Sequence, residues 1–122
     1  MSAAACKRKY IRILKLELED LREDVELLIA RQESRLGRER ETHYVFLENL
    51  ALLKHRILDL DRISAILDQF DLDQCADLDA LIKAVDLRFH NLAQHHGLTE
   101  AVYGLLKRKL EKVARYVREP PC

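Results

Sequence analysis

Tryptophan is absent from this sequence, and glycine and proline are close to it: three Gly and two Pro in 122 residues, with both prolines in the last three positions. Before its tail the chain therefore carries almost none of the punctuation from which tight hairpins and strand-rich folds are built. Aromatics make up only 6% of the residues while leucine dominates a 48% apolar fraction, a mix that favours helices over strands. A surplus of charge of either sign is also lacking: Lys plus Arg and Asp plus Glu are 21 each. No net field draws the chain to nucleic acid or to an anionic membrane. No apolar run reaches the length of a membrane span. The first ten residues, MSAAACKRKY, place their basic residues after the Ala-Ala-Cys and offer no apolar core for a signal peptide. Cys6, Cys75 and Cys122 are odd in number, far apart and without a C-x-x-C pair, which speaks against a zinc site and against a disulfide framework. The composition predicts one soluble, cytoplasmic, all-helical domain over residues 1–122, with disordered tails at 1–8 and 119–122.

What is present is helical periodicity. Ile11, Leu14, Leu18, Leu21, Val25 and Leu28 alternate steps of three and four, the seam of a heptad hairpin. A second seam runs through Phe46, Leu50, Leu53, Ile57, Leu60 and Leu67, flanked broadly enough to predict that helix 2 is the central one. Between the two lies RQESRLGRERETHY, residues 31–44. Continuing the first heptad through it meets Gln32, Arg35, Glu39 and Thr42, four polar residues where a packed seam needs apolar ones. The chain is therefore expected to fold back there, with Gly37 after helix 1 and Thr42 as N-cap of helix 2. An unbroken rod is the alternative. Asp77 is the expected N-cap of helix 3, which buries Leu78, Leu81, Ile82, Val85, Phe89 and Leu92 and stops at His95, His96 and Gly97. Thr99 then caps helix 4, which packs Val102, Leu105 or Leu106, Leu110, Val113 and Val117. The predicted fold class is all-α: an antiparallel four-helix bundle with a long N-terminal heptad hairpin of helices 1 and 2 and a shorter C-terminal hairpin of helices 3 and 4.

Helices of unequal length leave an overhang. Leu27, Ile29, Val45 and Leu52 fall on it or beside it, and Ile13 and Leu16 widen the stripe of helix 1 beyond what one partner covers. Uncovered apolar surface on a helical bundle marks a contact site, so these six residues are the expected partner-binding set, for a second copy of the chain or a helical protein.

Chemistry-bearing patterns are sparse. His55 with Asp59 and Asp86 with His90 are i, i+4 pairs, yet His55 and His90 fall opposite the apolar stripes, so neither points to a bundle-core metal site. In DLDQCADLDALI, residues 71–82, Asp71, Asp73, Asp77 and Asp79 alternate, but the glycine position of a calcium loop is Ala76 and its twelfth is Ile82 in place of Glu. No cofactor and no metal are expected. Glu19, Asp20 and Glu23 form E-D-x-x-E on helix 1. That is similar to half of the motif of the all-helical nucleoside triphosphate pyrophosphohydrolases of the MazG type. The resemblance, one helical turn long, implies Mg²⁺ held by those carboxylates and a nucleotide substrate. The family also uses E-x-x-D on the following helix, where this chain has Asp59 and Asp61 in another pattern. Basic blocks at Lys7, Arg8, Lys9, Arg12, Lys15 and at Lys107, Arg108, Lys109, Lys112, Arg115, Arg118, interleaved with Tyr10 and Tyr116, suggest nucleic acid as an alternative partner. An up-down bundle brings the acidic 59–79 segment to the same end, where it neutralises them. The expected function is a non-catalytic helical interaction or scaffold module that self-associates. Nucleic-acid binding stands second and nucleotide pyrophosphohydrolysis third.

Overall fold

The structure is a computed structural model and describes residues 2–35, 42–95 and 97–119. It contains four α-helices and, among the described residues, no strand: α1 (Ala3–Arg35), α2 (His43–Asp68), α3 (Leu78–His95) and α4 (Glu100–Arg118). A short 3-10 turn, Leu72–Gln74, lies between α2 and α3. The helices pack as a bundle around Tyr10, Leu14, Leu18, Ile63, Leu67, Leu81, Val85, Phe89, Leu106, Val113 and Val117, all nearly or wholly buried.

The helix starts follow from local chemistry. Thr42 accepts from the Val45 amide at 3.2 Å, Asp77 from that of Ala80 at 2.8 Å and Thr99 from that of Val102 at 3.4 Å. Each satisfies one of the amides that a helix leaves unpaired at its N-terminus. Gly97 has φ +76°, the left-handed conformation that ends α3, and Leu98 is buried immediately after it. Gly37 and His96 lie outside the described residues.

Ion pairs give the register. Lys15 pairs with Asp68 and Arg22 with Asp61 at 2.7 Å, so seven residues forward on α1 are seven back on α2. α1 and α2 therefore run side by side in opposite directions, and the unbroken rod is ruled out. On the other flank of α1, Glu17 takes Lys109 at 2.9 Å and Lys112 at 3.0 Å, and Lys9 lies 5.3 Å over the ring of Tyr116. α4 is thus antiparallel to α1 as well.

Four expectations need correction. The N-terminal segment is not a disordered tail from 1 to 8: α1 begins at Ala3, and Cys6 and Lys7 are buried. The heptad runs back through Tyr10 and Lys7, and the two lysine carbonyl partners described below compensate its charge. The central helix is α1, which packs against α2, α3, α4 and the 3-10 turn. In α2 the first half buries Phe46, and the other buried residues, Asp59, Leu60, Ile63, Ile66 and Leu67, all lie in the second half. Leu28, the last apolar member of the first seam, is 42% exposed. Finally, Cys6 is disulfide-bonded while Cys75 is a free thiol.

Candidate interaction surface

α1 spans 33 residues and α2 spans 26, against 18 and 19 for α3 and α4. Lys109 stands level with Glu17, and α4 starts about nine residues, or about 14 Å, before it. From about Glu26 onward α1 has α2 beside it and no α4. This two-helix stem has one covered seam per helix, which leaves the wider apolar stripe of each in solvent.

The six expected contact residues divide. Leu27 and Leu52 are each 57% exposed, Val45 is 41% and Leu16 is 52% exposed. Ile13 and Ile29 instead pack, half-buried, against the core, because their phase on α1 turns them toward neighbouring helices. Leu16 and Leu27 are eleven residues apart, three turns, and share the side of α1 opposite its buried seam. Leu28, Val45 and Leu52 lie on another side: by helical phase Leu28 shares the face of α1 that buries Tyr10, and Val45 and Leu52 the face of α2 that buries Ile63. The exposed set also includes Leu28, Tyr44, Leu47 and Leu58. Nothing in their sequence context distinguishes them from core leucines, since exposure here depends on where another helix stops.

Of the two basic blocks, Lys7, Lys9, Lys15, Lys109, Lys112 and Arg118 are engaged inside the fold, while Arg8, Arg12, Lys107, Arg108 and Arg115 make no ion pair among the described residues. Lys7 is buried and its Nζ donates to the carbonyl oxygens of Leu72 at 2.6 Å and Cys75 at 2.8 Å, closing the 3-10 turn over α1. Arg118 donates to Asp79 at 3.1 Å. The two lysine hydrogen bonds hold the Glu17 carboxyl below its usual range. Asp71 and Asp77, two of the alternating acids, accept backbone amides of the turn and of α3.

Glu19, Asp20 and Glu23 are exposed on α1. Across from them Asp61 is engaged by Arg22, and Asp59 is buried with its Oδ2 unpaired by any hydrogen bond and 3.7 Å from Nε2 of the exposed His55. Among the described residues no group of three or more His, Cys, Asp or Glu side chains is placed to share a metal ion. An open cleft between α3 and α4 is lined by Lys83, Asp86, His90, Tyr103, Lys107 and Glu111, with His90 Nδ1 3.2 Å from the Tyr103 hydroxyl. Burial raises the Asp86 carboxyl, opposed by Arg118 and reinforced by Glu111. Tyr10 of α1 has its hydroxyl buried without a hydrogen-bond partner, and burial pushes its phenol upward, with the Asp86 charge adding to the effect. No helix among the described residues is long and apolar enough to cross a membrane. Compared with known proteins, the chain matches no family model, no curated protein sequence and no solved structure.

Proposed function

We propose that the protein is a non-catalytic helical interaction module whose working surface is the α1–α2 stem. The observation that carries this reading is the exposure of Leu28, Val45 and Leu52 on the faces of α1 and α2 that bury Tyr10 and Ile63 at the other end. A helix laid along those faces, from a second copy or from another helical protein, removes apolar surface from water without rearranging the bundle. Internal pairing of Lys15, Lys109, Lys112 and Arg118 with carboxylates supports this over nucleic-acid binding, which needs unspent cations.

The test is a Leu28→Glu, Leu52→Glu double variant compared with the parent chain by sedimentation equilibrium and by quantitative co-purification from its own cells. Both positions are exposed, so helicity is retained. Loss of self-association or of a specific co-purifying protein is the expected outcome; a variant that matches the parent in both removes the stem as the working surface.

A further inference from the structure

The face shared by α1 and α4 carries a charge pattern separate from the stem groove. Leu16, Asp20, Glu23 and Leu27 fall within about 60° of arc on α1, opposite its buried seam. Ala101, Leu105, Arg108 and Lys112 fall within about 60° on α4, opposite Leu106 and Leu110. All eight are exposed, with Leu16 at 52%, Leu27 at 57% and Leu105 at 36%. The two rows lie side by side, because Glu17 of α1 is joined to Lys109 and Lys112 of α4 along the line between them. Over Leu16 to Leu27 the α1 row is acidic and the α4 row basic, and Lys9, which continues the α1 arc one heptad earlier, is engaged by the ring of Tyr116. Asp20, Glu23 and Arg108 make no ion pair among the described residues.

We propose that two copies of the chain pair through this face, α1 of each running antiparallel to α4 of the other, with Asp20 of one copy meeting Arg108 of the other. An acidic row beside a basic row is its own complement under a twofold axis parallel to the helices, so every contact occurs twice. The register is the one already present within the chain. With Glu17 level with Lys109 and Lys112, Asp20 stands within one helical turn of the level of Arg108. Leu16 and Leu105 then lie about one turn to either side of the Asp20–Arg108 level and supply apolar surface that the pairing covers, and the balanced net charge leaves no overall repulsion between copies. A second copy brings a basic row to the acidic one and an acidic row to the basic one at the same time. This pairing does not use Leu28, Val45 or Leu52, and the stem stays free for its own partner.

The experiment is light scattering coupled to size exclusion at the highest soluble concentration, on the full chain and on D20R and R108E. The parent is expected to run as a dimer, and each variant, which opposes like charges twice, to dissociate at least about tenfold more readily. An equimolar mixture of D20R and R108E is expected to recover the dimer, since one contact then joins the two new charges and the other keeps the native pair. A monomeric parent, a dimer indifferent to both substitutions, or a mixture that stays monomeric overturns the proposal. A dimer lost in the Leu28→Glu, Leu52→Glu variant but kept in D20R also overturns it and assigns self-association to the stem.

Discussion

Lys7 shows how a residue changes meaning between sequence and fold. In the sequence it belongs to a basic cluster with Arg8 and Lys9; in the fold it is buried and closes the 3-10 turn through two backbone carbonyls. The signal for this was present, because Lys7 continues the three-and-four spacing of Tyr10, Leu14 and Leu18. Its charge masked the pattern. Replacing Lys7 with Met keeps much of the side chain's aliphatic packing but leaves both carbonyls without their charged donor. Chemical denaturation should show a loss of about 1.5–3 kcal/mol, the usual worth of hydrogen bonds to a charged group. A comparable Arg8→Met change, at an exposed position, should lie within about 0.5 kcal/mol of the parent. Asp59 makes the converse point: one buried carboxylate on a helix face otherwise filled by Ile63 and Ile66 is invisible to a hydrophobic pattern, and only the packing places it inside.

At the scale of elements, α1 is the organising helix, and its two flanks are held by different charge sets. Arg22 and Lys15 face α2; Glu17 faces α4. Glu17 titrates below its ordinary value in the folded chain, where Lys109 and Lys112 donate to it. A group whose folded value is depressed contributes stability above its unfolded range, and that contribution disappears as the pH falls through the folded value. Thermal melts of the parent and of Glu17→Gln should therefore differ at neutral pH, with the variant melting lower. The curves should converge in acid, once Glu17 is protonated in both states. A constant gap at all pH values would assign the effect to packing instead. The α3–α4 turn was legible down to its glycine and threonine, since a left-handed residue and an N-cap are chosen by local backbone sterics and hydrogen bonding. Leu105 against Leu106 was not: adjacent leucines differ by 100° on a helix, and only the position of the neighbours buries Leu106 and leaves Leu105 out.

For the whole molecule, unequal helix lengths divide the bundle into a near half of four helices and a far stem of two. The near half holds the fully buried side chains, among them Tyr10, Leu14, Phe89, Leu106 and Val117. The stem relies on the α1–α2 seam alone. Local stability follows buried apolar contact, so amides of 26–33 and 46–53 should exchange with deuterium faster than those of 10–18 and 60–67, at rates set by sub-global opening. Uniform protection along α1 would mean that the stem is covered, either by a second copy or by a bound partner. The charge-swap variants and the stem variant described above then tell which.

Helix content, the caps at Thr42, Asp77 and Thr99, the turn at Gly97 and the seam of α1 up to Val25 were determined by the sequence itself. Each depends on spacing or on groups within a few residues, and such interactions do not need the rest of the molecule to exist. The burial of Lys7 and Asp59, the half-burial of Ile13 and Ile29, and the exposure of Leu28 and Leu52 were decided by tertiary structure. Whether a leucine meets protein or water depends on where a distant helix begins and on which side it lies, a matter of relative placement that no local periodicity encodes.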